Sequence, residues 1–483
     1  MQAGSKDELI GGRSDGFAGG AILVLDTFNR GTNESTTLKL RRPGGRLHHL
    51  GLSTVHSDIN AEYKFVYCIL LKNRVLKKVQ MGSLPVIIIP AYSRPDALLR
   101  LLNSINNSVF PQRNIQLIIS LDGGATDTVE NVADSFRFKH GEKTVIKRES
   151  NLGLREHILW CGDQTETYGS VIILEDDLLV DKYFYLYTLH ALRFYESDKE
   201  IAGISLYSQR INVISKLAFE PLYNGYSAYF IQSPSSWGQA WNSDQWSRFR
   251  DWYITADKHQ VDNSENVPQT IKNWPETSWK KYFAAYMAES DTYFAYPYHS
   301  YTTNCADPGG VHMAEGSPMY QVPLGAENRP QDKFSFCKPV ESAAVYDTFF
   351  EPLSDEIYSV LELAPDELEI DFFGTKPVSL LKKKKYVLTS RKCSNPIRVF
   401  RYSFKPIEKT VLEPVNEPDS DRYGYTDHIY LAESCNINSS KRPFYQQVNY
   451  MSYYMLENRY VFRRYILFRV STLINKFKNL LRK

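Results

Sequence analysis

The chain lacks the sequence features of several large protein classes. Its 483 residues include only six cysteines, and no two of them form a Cys-x-x-Cys pair. This spacing favours reduced, buried thiols over a zinc site or a disulfide framework. No apolar run is long enough for a membrane span or a secretory signal, so we expect a cytoplasmic protein. The net charge of +2 gives no broad positive field, and we expect no nucleic-acid partner.

One apolar run ends in a dense group of acids. Residues 171–181 read Val-Ile-Ile-Leu-Glu-Asp-Asp-Leu-Leu-Val-Asp, so four apolar residues lead directly into Glu175, Asp176 and Asp177. A continuous apolar run of this kind indicates a strand buried on both faces, as in a parallel sheet. Three adjacent carboxylates at its end are costly unless a cation meets them. A metal site and a solvated acidic turn both fit this stretch when it is taken alone.

Strand-like and helix-like segments alternate before that run. The strand-like segments are Val86–Ile89, Ile115–Leu121 and Thr144–Lys147, and helical spacing follows each of them. This alternation predicts βαβ units and an α/β fold with a doubly wound, mostly parallel sheet. Polar residues follow the predicted strand ends at Arg94, Asp122, Arg155 and Glu175–Asp177. Because ligands of such sheets bind at this edge, we predict a nucleotide crevice there.

The chain divides into four segments of different character. Residues 1–80 carry several glycine pairs and suggest no chemistry, whereas residues 81–332 contain the predicted parallel sheet. Residues 333–445 offer short strands broken by prolines, which predicts a smaller α+β module. Residues 446–483 end in a basic amphipathic helix, since residues 459–483 hold eight basic side chains and no acid.

This C-terminal helix predicts contact with a membrane surface. Its apolar residues recur at helical spacing, and its charges are too frequent for a span, so it would lie in the interface of an anionic membrane. Docking on its own protein or on a sister subunit is the alternative. We therefore expect a peripheral protein on the inner face of the cell membrane.

Two later segments carry residues suited to a sugar or a metal. The loop that contains Trp237, Gly238 and Trp241 offers indole faces on which a sugar ring can pack, although a loop anchored in the core fits its composition equally well. His312 follows a glycine-rich stretch, Asp307–Val311. We include His312 as a candidate ligand of a metal or pyrophosphate, while a structural histidine is the commoner case.

Four elements follow one another in order: Val86–Arg94, Ile118–Gly124, Ile172–Asp177 and Trp237-Gly238. This order resembles the nucleotide-sugar domain of GT-A glycosyltransferases, over roughly residues 84–315. The Glu-Asp-Asp sequence is similar to the Asp-x-Asp motif of that family. It looks closest to the N-acetylglucosaminyltransferase I family and to bacterial family-2-like transferases of surface polysaccharides.

The resemblance implies a nucleotide-binding role for several residues. Ala91, Tyr92 and Arg94 would lie against the donor nucleotide or its phosphates. Asp122 would hydrogen-bond the base, typically uracil, and Arg155 would face the nucleotide.

The resemblance also implies a metal site in the acid cluster. Asp177 would bind Mn²⁺ or Mg²⁺ directly, whereas Glu175 and Asp176 would hold sugar or ribose hydroxyls and metal-bound water. A divalent cation at this place would neutralise the nucleoside diphosphate as it leaves.

One segment departs from the family pattern. Related transferases carry an acidic base in a later segment that begins with Trp-Asp, whereas Trp279 is followed here by Lys280 and Lys281. An inverting transferase needs a carboxylate near the acceptor hydroxyl. The candidates for that base are, in order, Asp291, Glu276, Asp244 and Glu289.

The expected activity is metal-dependent transfer of a hexosyl or N-acetylhexosaminyl group from a UDP-linked donor to a glycan or lipid-linked acceptor, in surface polysaccharide synthesis. A sugar nucleotidyltransferase would share the sheet and the metal carboxylates. Its first strand should lead into a glycine-rich loop, and Pro90–Pro95 contains no glycine. The two lysines after Trp279 support a different hypothesis, a non-catalytic scaffold or glycan-binding module.

Overall fold

The computed structural model describes three strands near the N-terminus and most of the chain from residue 84 onward. The described residues are 22–30, 33–41, 48–50, 84–111, 114–256, 258–305, 307, 320–325, 334–401, 405–414 and 428–437. His312 and the basic helix predicted at 459–483 lie outside them. The chain forms two compact units, Met1–Val79 and Gln80–Lys483.

The first unit contains a three-stranded antiparallel sheet. Its strands are β1 (Ile22–Arg30), β2 (Asn33–Arg41) and β3 (His48–Leu50), with β2 in the centre. All nine residues of β1 pair with β2, so the two strands form one long ribbon.

The second unit is built on a nine-stranded mixed sheet. Its order is β14-β10-β12-β9-β11-β7-β4-β5-β6, while β8 and β13 pair separately as a two-stranded ribbon. In chain order the strands are β4 (Val86–Ala91), β5 (Ile115–Leu121), β6 (Gly141–Lys147), β7 (Ser170–Ile173), β8 (Leu178–Val180), β9 (Ile201–Ser205), β10 (Ala228–Ile231), β11 (Gln239–Asn242), β12 (Tyr293–Pro297), β13 (Thr302–Asn304) and β14 (Val345–Tyr346).

The apolar strands lie at the centre of this sheet, as predicted. β4 pairs in parallel with both β5 and β7, and β5 pairs in parallel with β6. Ile87 and Ile88 belong to two different hydrophobic clusters, one on each face of the sheet, and both side chains are fully buried. Burial on both faces explains why β4 reads as a continuous apolar run. The predicted α/β fold with a mostly parallel sheet is therefore confirmed.

Helices cover both faces of the sheet. Leu98, Leu101, Leu102 and Ile105 recur at helical spacing and pack into one cluster, whereas Trp279 and Phe283 pack into the other. None of the described helices is both long and apolar enough to cross a membrane. The α-helices are α1 (Pro95–Asn106), α2 (Asp127–Ser135), α3 (Gly153–Asp163), α4 (Thr165–Tyr168), α5 (Phe184–Phe194), α6 (Ser243–Thr255), α7 (Lys258–Asn263), α8 (Gln269–Lys272), α9 (Trp279–Ser290), α10 (Asp355–Leu361), α11 (Val378–Leu381) and α12 (Lys409–Leu412).

A smaller sheet forms the C-terminal part of this unit. Its order is β15-β16-β18-β17, with a parallel pair between the first two strands and antiparallel pairs elsewhere. Leu368 and Phe400 of this sheet share a hydrophobic cluster with Trp241 of the large sheet. The smaller sheet therefore packs directly against the core of the larger one. Its strands are β15 (Leu368–Asp371), β16 (Tyr386–Thr389), β17 (Arg398–Arg401) and β18 (His428–Glu433).

A buried ionic network also ties the smaller sheet to the segment after β14. Lys376 Nζ lies 2.6 Å from Asp347 and 2.5 Å from Glu369. Burial alone would lower the pKa of Lys376, but these carboxylates hold it above the ordinary value. Arg391 Nε donates to the buried Asp371 at 2.7 Å. Because each buried charge has a partner, loss of one partner should be costly.

We predict that Lys376→Met destabilises the protein by about 3 kcal/mol or more, since it leaves two largely buried carboxylates without their cation. Lys383→Met is the matched control, because that lysine side chain is 59% exposed. Urea denaturation followed by tryptophan fluorescence measures both variants. Equal unfolding midpoints for the two variants would contradict the prediction.

Candidate active site

A cleft of about 400 Å³ lies beyond the carboxyl ends of β4 and β7. Its wall combines acids, cations and an indole ring, and it includes Arg94, Glu175, Asp177, Trp237, Lys280 and Asp307. Arg94 follows β4, and the two acids follow β7. Because these strands are parallel neighbours, the residues that follow them meet at one edge of the sheet.

Arg94 bridges two acids of the Glu-Asp-Asp sequence. Its Nη1 donates to Asp177 Oδ2 at 3.0 Å, and its Nη2 donates to Asp176 Oδ1. Burial raises the pKa of Asp176 to about 6, although the charge of Arg94 opposes this shift. The guanidinium is therefore the cation that makes the acid cluster tolerable in the free protein.

Asp177 is fixed through its backbone as well as its side chain. Its carbonyl oxygen accepts from the amide of Cys305 at 2.9 Å and lies 3.5 Å from Arg100 Nη2. Arg100 also donates to Asp307 Oδ1 at 3.0 Å, so α1 holds both acids in place. Asp177 Oδ1 is buried and has no hydrogen-bond partner among the described residues. One carboxylate oxygen thus stays available for a ligand.

The donor set fits a cation that arrives with its own ligands. No group of three or more His, Cys, Asp or Glu side chains forms a complete metal site within the described residues. Mg²⁺ and similar hard cations, however, are commonly bound by one or two carboxylates, several waters and substrate phosphates. Asp177 Oδ1 meets that requirement, whereas a dedicated all-protein site does not exist in this part of the chain.

Glu175 is the third acid of the cluster and has a different environment. It lines the cleft, and no described residue forms a hydrogen bond with its carboxylate. Burial raises its pKa to about 8, and the nearby charge of Asp177 adds to the shift. As part of the cleft wall, its carboxylate can contact a molecule that enters the cleft.

The Trp237 loop forms one wall of the cleft. Trp237 packs against the rings of Tyr207 and Tyr320, with centroids 4.8 Å apart in each case. Gly238 adopts a positive φ of 91°, and a Cβ there would lie 2.8 Å from Cγ2 of Thr302. This close approach requires glycine and fixes the direction of the preceding indole.

The two tryptophans of this loop have opposite roles. Trp237 lines the cleft, whereas Trp241 is fully buried in the core. The core-anchor interpretation therefore holds for Trp241, whereas the role of Trp237 as a sugar platform stays a prediction. A second indole in the cleft comes from Trp274, which no sequence pattern singled out.

The two lysines after Trp279 also differ. Lys281 is buried and pairs with Glu276 at 2.7 Å and with Asp262 at 3.5 Å. Lys280 points into the cleft, where its Nζ lies 5.8 Å from the Trp237 centroid and 5.6 Å from that of Trp274. Burial lowers the pKa of Lys280 to about 8, against the opposing charge of Glu175. Only Lys280 is therefore placed to meet a substrate.

Asp291, the first candidate for the base, lies at the wrong edge of the sheet. It precedes β12, which runs parallel to β9, and both strands run in the direction of β7. Asp291 is therefore at the amino-terminal edge, opposite the cleft. Its carboxylate accepts hydrogen bonds from Gln232 at 2.6 Å and Tyr293 at 3.0 Å. This position argues against the predicted role.

The other candidates for the base are also outside the cleft wall. Glu276 is exposed and accepts hydrogen bonds from Lys281 and Tyr282. Asp244 pairs with cations on and near α6. Glu289 accepts a hydrogen bond from the indole of Trp252, which lies on α6. None of the three lines the cleft, so their positions do not support the prediction.

Asp122 makes internal hydrogen bonds. Its Oδ1 accepts from the amides of Gly123 at 2.9 Å and Leu152 at 2.8 Å, and its Oδ2 accepts from the amide of Gly153 at 3.0 Å. The side chain is buried. These bonds satisfy amides at the start of α3, which have no partner within the helix. Asp122 thus holds the 151–153 turn against the end of β5.

The remaining predicted nucleotide contacts are dispersed. Arg155 donates to the carbonyl of Glu276 at 2.6 Å and does not line the cleft. Tyr92 is 46% exposed, and Ala91 is buried in the sheet. The structure thus brings together Arg94 and the three acids, but not the other predicted contacts. Arg100 was missed, although it lies on the helix that starts at the same sheet edge.

Residues 86–235 match the family model described as glycosyl transferase family 2. The matched residues therefore resemble a family 2 glycosyltransferase domain. They include β4 to β10 and the acid cluster, whereas Trp237 and Lys280 lie outside the match. The narrower resemblance to the N-acetylglucosaminyltransferase I family stays a prediction. No curated protein matches the chain.

The similar solved structures include the following three, each of which matches less than half of this chain. One is S. aureus TarS 1–349 in complex with UDP-GlcNAc, at 14% identity and a TM-score of 0.31 over 45% of this chain and 57% of that chain. Another is GalNAc-T7 with UDP, GalNAc and Mn²⁺, at 8% identity and a TM-score of 0.31 over 45% of this chain and 42% of that chain. The third is the mannosyltransferase PcManGT from Pyrobaculum calidifontis in complex with GDP-Man and Mn²⁺, at 13% identity and a TM-score of 0.24 over 38% of this chain and 54% of that chain. The chain spans less than two thirds of each of these, and TM-scores this low support no statement about substrate.

We predict that Asp122→Ala lowers the stability of the ligand-free protein by about 2 kcal/mol or more, because one buried and two partly buried amides lose their acceptor. Asp251→Ala is the control, since Asp251 is exposed on α6. Thermal unfolding without nucleotide measures the difference. If both variants melt alike, the carboxylate does not hold the turn, and a contact with the donor base becomes the better interpretation.

Proposed function

We propose that the chain transfers a sugar from a UDP-linked donor to a hydroxyl group of a glycan or lipid-linked acceptor, with the help of Mn²⁺ or Mg²⁺. The observation that carries this proposal is the buried Asp177 Oδ1, which lacks a partner among the described residues and lies beside Arg94 at the end of β7. The family match to residues 86–235 supports the class of reaction.

The donor end of the cleft contains the residues suited to a diphosphate. Asp177 would hold the metal, which neutralises the leaving diphosphate when it is bound. Arg94 would then move its guanidinium from the carboxylates to the phosphates, because an arginine fork matches phosphate oxygens as well as carboxylate oxygens. The acids and the arginine would thus exchange partners when the donor binds.

The sugar would lie between the acid cluster and the indoles. Trp237 and Trp274 offer apolar faces that exclude water and pack on a sugar ring. Among the carboxylates that line the cleft, those of Asp177 and Asp307 are paired with arginines, whereas that of Glu175 has no hydrogen-bond partner among the described residues. We therefore propose Glu175 as the group that accepts the proton of the acceptor hydroxyl.

A second candidate function is a non-catalytic module that binds a nucleotide or a glycan. The observation in its favour is that none of the four predicted bases lines the cleft. Release of UDP from a panel of UDP-sugars in the presence of Mn²⁺ distinguishes the two functions. Turnover that Glu175→Gln abolishes supports the transferase, whereas donor binding without turnover supports the module.

We predict that UDP and Mn²⁺ together raise the melting temperature of the protein, because both bind the folded state. Asp177→Asn should abolish the part of the shift that depends on Mn²⁺ and reduce turnover about a hundredfold or more, since a bound metal contributes several kcal/mol to transition-state stabilisation. Asp366→Asn, on an exposed turn, is the control. Full Mn²⁺ dependence in Asp177→Asn would refute the metal assignment.

We further propose that the basic segment 459–483 places the enzyme on an anionic membrane, where a lipid-linked acceptor of a surface polysaccharide would be found. Deletion of these residues should release the protein from phosphatidylserine vesicles in a sedimentation assay and leave the UDP-dependent thermal shift intact. Unchanged sedimentation of the truncated protein would contradict this proposal.

A further inference from the structure

The ammonium group of Lys280 lies in the cleft and is not neutralised by a contacting carboxylate among the described residues. No described residue forms an ion pair or a hydrogen bond with its ammonium group. Lys281, the next residue, is by contrast buried and paired with two carboxylates. The sequence thus provides one lysine for the fold and one for the cleft.

The surroundings of Lys280 compensate its charge only in part. Its Nζ lies within 6 Å of two indole rings, a distance at which a cation–π interaction contributes about 0.5–2 kcal/mol. The charge of Glu175 favours the ammonium form of Lys280, although the two groups form no ion pair or hydrogen bond. A partly buried ammonium without a contact partner is unfavourable, so an anion that enters the cleft would find it ready to pair.

The cleft wall carries cations in two different settings. Arg94 lies against Asp176 and Asp177, where the proposed function places the donor diphosphate. Lys280 lies within 6 Å of the rings of Trp237 and Trp274 and has no such carboxylate contact among the described residues. Lys216 also lines the cleft and is exposed, so it adds positive charge there.

We propose that Lys280 determines specificity by binding an anionic group, a phosphate or a carboxylate, on the acceptor. This inference rests on the proposed function, because it assumes that the donor diphosphate binds beside Arg94. The indoles would hold the sugar ring of the acceptor, and the ammonium would hold its anionic substituent. A neutral acceptor would leave the ammonium unpaired and would therefore bind less tightly.

A role for Lys280 as the catalytic base is less favourable on electrostatic grounds. A base must be a neutral amine, but the donor diphosphate and Glu175 both stabilise the ammonium form. Substitution by arginine separates the two roles, since arginine keeps the charge and cannot accept a proton at neutral pH.

The test uses the full-length protein saturated with UDP and Mn²⁺, so that UDP occupies the proposed donor site. Glucose 6-phosphate and glucuronate are the anionic probes, and glucose is their neutral match. Saturation-transfer NMR titrations measure the three affinities. We expect the anionic probes to bind about tenfold or more tightly than glucose, and the stronger of the two identifies the anionic group.

Three variants complete the test. Lys280→Met should remove the preference for the anionic probes, and Lys280→Arg should retain most of it. Lys139→Met makes the same change in net charge at an exposed position and should leave the preference unchanged. A preference that persists in Lys280→Met overturns the proposal, and so does its loss in Lys280→Arg.

Two further outcomes are informative. If wild-type protein binds glucose and glucose 6-phosphate equally, or if UDP displaces glucose 6-phosphate, Lys280 does not select the acceptor and the proposal is wrong. A failure of the proposed function is distinguishable, because UDP and Mn²⁺ would then produce no thermal shift in wild-type protein. The three probes compared without nucleotide would in that case still show whether Lys280 binds an anion.

Discussion

The need to neutralise three adjacent carboxylates at the end of a buried strand organises this active site. Glu175, Asp176 and Asp177 follow β7, and burial makes their charges expensive. Two arginines supply positive charge beside these carboxylates. Each arginine comes from an element that the parallel sheet brings to the same edge. Arg94 comes from the end of β4, and Arg100 comes from α1, which begins directly after it. The parallel arrangement of β4 and β7 is thus a condition for the acid cluster.

Patterns that depend on local burial could be predicted from the sequence. The apolar runs at β4, β5 and β7 predicted a parallel sheet because strands buried on both faces leave no polar alternation. The position of the acid cluster followed from the same argument. Partners could not be predicted in this way. Asp122 is recognisable in the sequence by its position after a predicted strand. Its partners, the amides of Leu152 and Gly153, belong to a distant turn whose position depends on the packing of α3.

Strand direction explains why Asp291 lies away from the cleft. Asp291 follows α9, whose first turn lines the cleft. The helix carries the chain back along the sheet, and β12 starts at the far edge because it runs parallel to β9. A residue at the end of α9 is therefore separated from the cleft by about the length of a strand. This separation depends on the topology of the sheet and is not visible in the sequence.

The same electrostatic constraint accounts for the lysine at position 280. Glu175, Asp177 and Asp307 already line the cleft, and the two arginines are engaged with the last two of them. Another carboxylate at position 280 would add like-charge repulsion to Glu175. A lysine there instead stabilises the charged form of Glu175, while its own ammonium has no ion-pair or hydrogen-bond partner among the described residues. The acid cluster therefore favours a cation at position 280, and that cation in turn favours an anionic ligand near the indoles.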